Sequence, residues 1–240
     1  MKRLALLLLV ACSSSSTTPA PGGTEDAGAP TPEAGTGGSQ CSAARDSTLK
    51  PIDKVSTGMV SIVSDDGTTK LLYVDGSAGG LPNAGKNPAI YINLETGTRV
   101  DVTDKTSLQS SDWDLSLKRT IVYTNGGDGG PGQGGAELVD KAFDAVTADD
   151  ATKIATEKFF DADCNVILDV NKLYLQTTLS PDWYDYDQST MKVTPKDVSF
   201  VVVGGTAKKY KIAITSFNGK PDGTTTAPAG GYFLIKVAAL

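Results

Sequence analysis

The sequence predicts a mainly β fold: one compact antiparallel-sheet domain with one or two short helices. Three observations predict it. Short runs rich in Val, Ile, Tyr and Phe recur from Met59 to Val237, clusters of Gly, Asp and Asn separate them, and residues 112–118 alternate strictly between polar and apolar.

The elements follow in chain order, beginning with an address. Lys2 and Arg3 form a basic n-region, and Leu4 to Ala11 is an apolar run too short to span ~30 Å of hydrocarbon as a helix. Residues 1–11 therefore read as a signal peptide. Leu9-Val10-Ala11-Cys12 resembles the bacterial lipobox, in which a small residue precedes a cysteine that is acylated and becomes the new N-terminus. The expected partner of Cys12 is thus a lipid membrane, since several acyl chains give stable anchoring. A plain signal peptide with an incidental cysteine is the alternative. Ser13 after the cysteine implies the outer membrane under enterobacterial sorting rules. Residues 12–40, the lipidated cysteine and a Ser/Thr/Pro/Gly segment, have almost nothing to build a core from and are expected to be a disordered tether. Cys41 and Cys164 remain as an even pair in an oxidising compartment, which predicts a disulfide between them, two buried free thiols being the alternative.

The domain at 41–240 carries the strands. Residues 59–64 and 70–75 flank Asp65-Asp66-Gly67, and residues 89–94 and 98–102 flank Glu95-Thr96-Gly97. From Asp112 to Lys118, Trp113, Leu115 and Leu117 share one face while Asp112, Asp114, Ser116 and Lys118 share the other, the period of a half-buried strand. Further strands are predicted over 166–175, 182–187, 198–203, 209–217 and 232–237, joined by antiparallel hairpins. One stretch has helical spacing: Leu138, Val139, Ala142, Phe143 and Val146 form a stripe opposite Glu137, Asp140, Lys141 and Asp144. Thr147 and Asp150 then have the spacing of a capping box.

Composition excludes several functions. The chain has no histidine, which removes Ser-His-Asp and Cys-His nucleophile activation and histidine-based metal or haem ligation. The formal charge of −6 becomes more negative once Lys2 and Arg3 are cleaved away, so no nucleic-acid partner is expected. Gly127, Gly129 and Gly132 spell G-x-G-x-x-G, but no βαβ unit or Lys-Ser/Thr follows, and a glycine-rich crossover with close backbone contacts is the reading. Asp161, Asp163 and Asn165 begin an EF-hand pattern that fails at Val166 and Lys172. Asp182, Asp185 and Asp187 alternate with aromatics, and a solvated strand face is expected there rather than a calcium rim. No spacing singles out a pair of carboxylates, and no nucleophile has a base, so no enzyme is predicted.

Three segments carry a family resemblance. Pro88 to Gly97, Ser111 to Arg119 running through Thr124-Asn-Gly-Gly to Ala136, and Trp183 to Asp187 with the strands at 198–203 and 210–217 resemble the HmuY family of lipoproteins. The Trp-Asp strand joined to the glycine-rich loop is the most specific part. The resemblance implies an all-β domain on an outer-membrane lipoprotein that captures haem and passes it to a TonB-dependent receptor. In the family's type member two histidines ligate the iron, one on each side of the segment matching Trp183 to Asp187. Here residues 173–180 and 188–191 contain none, so that ligation carries over to no residue. Met191 lies near the expected place, and Tyr174, Tyr184 and Tyr186 are the phenolic candidates, with packing the alternative for each. The expected function is a non-enzymatic outer-membrane lipoprotein capturing haem or a related tetrapyrrole. The alternative is a surface structural or interaction lipoprotein with no small-molecule cargo. An open apolar cleft near Met191 would favour the first, and a filled interior with a flat outer face the second.

Overall fold

The computed structural model describes residues 41–170, 172 and 175–240. Cys12, the segment up to residue 40 and Tyr174 lie outside the described residues. A short helix, α1 (Ser42–Leu49), opens the domain, followed by the hairpin β1 (Val60–Asp65) and β2 (Thr69–Asp75). Asp66 closes that hairpin by accepting from the backbone N–H groups of Thr68 at 2.9 Å and Thr69 at 2.7 Å, the local bonding that makes Asp a turn residue.

Ten more strands follow. β3 (Ile90–Asn93), β4 (Thr98–Val100), β5 (Leu115–Lys118) and β6 (Ile121–Thr124) make a four-stranded antiparallel sheet in the order β4-β3-β5-β6. β7 (Gly135–Val139), β10 (Ser199–Val203), β11 (Lys209–Ser216) and β12 (Tyr232–Ala239) join the first hairpin in a six-stranded sheet, ordered β1-β2-β12-β11-β10-β7. β8 (Tyr184–Asp187) and β9 (Lys192–Pro195) form a separate hairpin.

One core joins the two larger sheets. Leu72 and Val74 of β2, Phe200 and Val202 of β10, Ile212 and Ile214 of β11 and Phe233 and Ile235 of β12 meet Ile90, Ile92, Leu115 and Leu117 from the smaller sheet. Trp183 fills the space beside them, with ring centroids 5.6 Å from Phe217 and 5.5 Å from Phe233. Burying a side chain of this size stabilises the fold by about 1.5–3 kcal/mol each. The interior between the sheets is filled.

The predicted helix over 137–146 does not form, and residues 137–139 are the end of a strand. Gly135 to Val139 pairs residue by residue with β10, from Val203↔Gly135 to Ser199↔Val139, and only Phe143–Ala145 makes a short helical turn. A helix of this length is marginal alone, whereas the strand completes a ladder on an open sheet edge. The helical stripe does not bury as a unit either. Leu138 is exposed, while Phe143 packs on Ala213 and Ala238 across the outer face of the sheet. The capping box does form: Asp150 accepts from the Thr147 N–H at 2.8 Å and from its hydroxyl at 3.1 Å.

Two further expectations are corrected. The described residues of 166–175 make no strand, only isolated bridges from Val166 to Phe160 and from Leu168 to Leu175. The Trp-Asp segment is buried on both faces rather than one. Asp114 and Ser116 are as inaccessible as Leu115 and Leu117. Trp113 also parts company with the two leucines, packing with Tyr91 and Ala89 on the other side of the sheet. The segment is regular strand only from Leu115, so alternation does not extend back to Trp113.

The buried polar groups explain this. Asp114 accepts from the N–H of Leu94 at 2.7 Å and of Gly205 at 3.0 Å, tying the β3–β4 turn to the β10–β11 turn. Trp113 Nε1 donates to Ser107 O at 3.0 Å, and Asn125 Nδ2 donates to Trp113 O at 2.8 Å. The glycine-rich loop packs over this assembly as a close backbone crossover, as its composition predicts. A Cβ on Gly126 would lie 2.0 Å from Gly134 O, and one on Gly127, at φ +56°, would lie 2.2 Å from Glu157 O. Glu157 is itself buried and accepts from the Thr124 and Thr178 N–H groups at 2.8 and 2.9 Å, and from both threonine hydroxyls. Burial pushes its carboxyl pKa up against these hydrogen bonds. The Trp-Asp strand and glycine loop are a structural lock.

Candidate ligand cleft beneath the tethered helix

Alternation along a strand puts half of each sheet's side chains on the face away from the core. On the smaller sheet that face presents Tyr91 from β3, Lys118 from β5 and Ile121 and Tyr123 from β6. It forms the floor of a cleft of about 330 Å³, near the small end of the range for ligand sites.

The roof is α1 with Val166, Leu168 and Leu175. An eight-residue helix does not persist by itself in water, and this one is fastened at both ends of its contact surface. Cys41, its N-terminal neighbour, is disulfide-bonded to Cys164, with the Cα atoms 5.4 Å apart. Ala44 and Leu49 pack against the cluster of Phe159, Phe160 and Leu175. Arg45 donates to Asp128 O and stands over the Phe159 ring at 5.8 Å. Val166, Leu168 and Leu175 complete the apolar wall.

The polar groups in the cleft are few. Asp104 is committed inward, accepting from the N–H groups of Ile52 and Ala89 at 3.0 Å each and from the Tyr91 hydroxyl at 3.1 Å. The Tyr91 and Tyr123 hydroxyls are 3.4 Å apart. Burial pushes both phenols above their ordinary pKa, Tyr91 well above it, so both remain neutral donors. Burial pushes the Lys118 ammonium down, with the charge of Asp104 opposing that shift.

The sequence candidates for ligand contact do not gather at this cleft. Met191 sits at φ +55° in the turn between β8 and β9 and is 72% exposed. Tyr184 is buried in the intersheet core, its ring 4.7 Å from that of Trp183, and Tyr186 packs partly against the same core. None of the three lines the cleft or the smaller polar cavity near Gly79. Asp187 caps its own turn, accepting from Ser189 and Thr190, and Asp185 is exposed. Among the described residues no group of three acids or cysteines could hold a metal ion. Arg45, Leu49 and Tyr123 were not legible as site residues. The signal that could have found Arg45 and Leu49 is the run from Ser42 to Lys50 ahead of Pro51, which suits a short helix; Tyr123 carried no such signal.

The family model of the HmuY protein matches residues 86–232, well over half of the chain. The chain belongs to the HmuY family. The match runs from the residues before β3 to the start of β12, and so includes the Trp-Asp lock and Lys118 but neither α1 nor Cys41. Among curated proteins none matches this HmuY-family chain. Among solved structures it is similar to a Bacteroides vulgatus protein provisionally described as HmuY-like and haem-binding, at 16% identity and TM-score 0.49, covering 73% of this chain and 94% of that one. It is also similar to a Bacteroides fragilis protein provisionally described as a lipoprotein, at 17% identity and TM-score 0.46, covering 74% and 92%. The apo form of an HmuY analogue from Tannerella forsythia matches at 15% identity and TM-score 0.46, covering 72% and 99%.

Proposed function

We propose that this HmuY-family chain is a non-enzymatic, lipid-anchored outer-membrane protein that captures haem or a related tetrapyrrole and hands it to a TonB-dependent receptor. Family membership supports the cargo class. The feature that carries the reading is the cleft: an apolar cavity roofed by α1, with neutral tyrosine donors and two cations but no catalytic pair. The lipobox at Cys12 supports the anchor. Because the chain has no histidine, the ring is held by packing in the cleft, with Met191 as the candidate axial ligand for a haem bound instead at the β8–β9 turn.

A haemin titration of residues 41–240, followed by absorbance in the ferric and ferrous states, tests this beside Met191→Ala and Leu175→Glu. Saturable binding lost in Leu175→Glu and kept in Met191→Ala is the expected result. Loss in Met191→Ala alone moves the site to the β8–β9 turn. Absence of saturable binding overturns the cargo and leaves the interaction-module alternative, which the filled intersheet core favours.

A further inference from the structure

Two cations line the cleft, and neither makes an ion pair among the described residues, although the charge of Asp104 acts on Lys118 from a distance. Arg45 is only 6% exposed, and its guanidinium has a backbone carbonyl and an aromatic face as partners but no carboxylate. Lys118 projects from the cleft floor with no hydrogen bond or ion pair among the described residues. The ion pairs among them are made by Arg99, Lys105, Lys141, Lys196 and Lys208.

Lys118 is half-buried, but for Arg45 the lack of an ion pair is unusual on physical grounds, because a charge withdrawn from water is normally paired. It is also at odds with the composition. Acids outnumber bases, 28 to 22, so a chain with anions to spare leaves two cations facing one apolar cavity. The acid lining the cavity, Asp104, is turned inward by its three hydrogen bonds. Beside the cations, the Tyr123 hydroxyl offers a neutral donor, the Tyr91 O–H being committed to Asp104. A guanidinium with unused donors, an ammonium and a phenolic hydroxyl together suit a carboxylate, which accepts several charge-assisted hydrogen bonds at once.

We infer that the cleft recognises a carboxylate carried on an apolar body, with Lys118 making the ionic contact and Arg45 holding the site positive. The chemistry is shared by a tetrapyrrole propionate and a fatty-acid headgroup. This deepens the reading of the cleft as a cargo site: selection rests on the ligand's acid group rather than on iron.

The test compares protoporphyrin IX with its dimethyl ester, and dodecanoate with dodecanol, by fluorescence quenching and competition on residues 41–240 and on Lys118→Gln. A melting curve and near-ultraviolet circular dichroism verify that the variant is folded. At least one acid should bind about tenfold or more tighter than its neutral counterpart, as expected for a charged hydrogen bond. Lys118→Gln should erase that difference while leaving the neutral ligand's affinity unchanged. Binding of dodecanoate but of no tetrapyrrole, with or without iron, keeps this inference and overturns the haem reading. Binding of haemin and of the porphyrin ester as tightly as the acid, indifferent to Lys118→Gln, overturns the inference and keeps the haem reading. If no probe binds, both fall.

Discussion

Replacing Cys41 and Cys164 by serine should destabilise the domain as a whole while α1 stays docked on the cleft. The bridge closes a loop of 123 residues, and a cross-link of that span removes enough freedom from the unfolded chain to be worth about 4–5 kcal/mol. The full effect requires α1 to stay docked when the bond is gone. Its contacts argue for that: Ala44 and Leu49 pack on Phe159, Phe160 and Leu175, and Arg45 holds Asp128 O. For a domain of this size each kcal/mol shifts Tm by roughly 2–4 °C, so the double variant should melt roughly 8–20 °C lower. Calorimetry of both proteins, with hydrogen exchange over residues 42–49, measures the global and local consequences separately. A Tm within about 3 °C of the parent would refute the reasoning. It would mean that α1 detaches at little cost and that the bridge secures one wall of the cleft rather than the domain.

Three other variants have expected outcomes. Glu157→Gln leaves the N–H of Thr124 or of Thr178 facing an amide donor, which should cost about 1–3 kcal/mol in urea unfolding at neutral pH. The same variant should alter the pH profile. Burial raises the Glu157 pKa in the folded state, so its contribution is full below the ordinary carboxyl value of ~4.3 and is lost as pH rises towards the raised one. Glu157→Gln should lack that decline, and an unchanged pH slope would oppose this. Gly126→Ala places a methyl 2.0 Å from Gly134 O. Since neither backbone can yield, a loss of about 3 kcal/mol or more, or failure to fold, should appear in expression and melting assays. Trp113→Phe removes the bond to Ser107 O and trims edge contacts with Tyr91 and Tyr123, 4.9 and 5.9 Å away by ring centroid. It should cost about 2–3 kcal/mol while leaving haemin affinity within twofold.

Local chemistry was legible from the sequence. The hairpin at Asp65-Asp66-Gly67, the β-rich architecture, the Thr147–Asp150 box, the close crossover of the glycine run and the Cys41–Cys164 bridge each depend on residues whose own geometry or pairing rule dictates the outcome. The absence of histidine is a fact of composition, and by itself it excludes the mode of ligation used by the family's type member. Only the tertiary structure decided the rest. Residues 137–146 have helical spacing, yet 137–139 became strand because β10 offered an unpaired edge, which lies far away in sequence. Trp113 left the face of Leu115 and Leu117 because its indole N–H found Ser107 O. The cleft was invisible for the same reason. Its floor gathers Tyr91, Lys118, Ile121 and Tyr123 from three strands, each ordinary in isolation. Its roof is a helix too short to stand alone, held by a disulfide across 123 residues. Whether Arg45 and Lys118 are solvated surface charges or an unpaired couple facing one cavity depends on contacts between segments. Periodicity and spacing along the chain carry no record of those contacts.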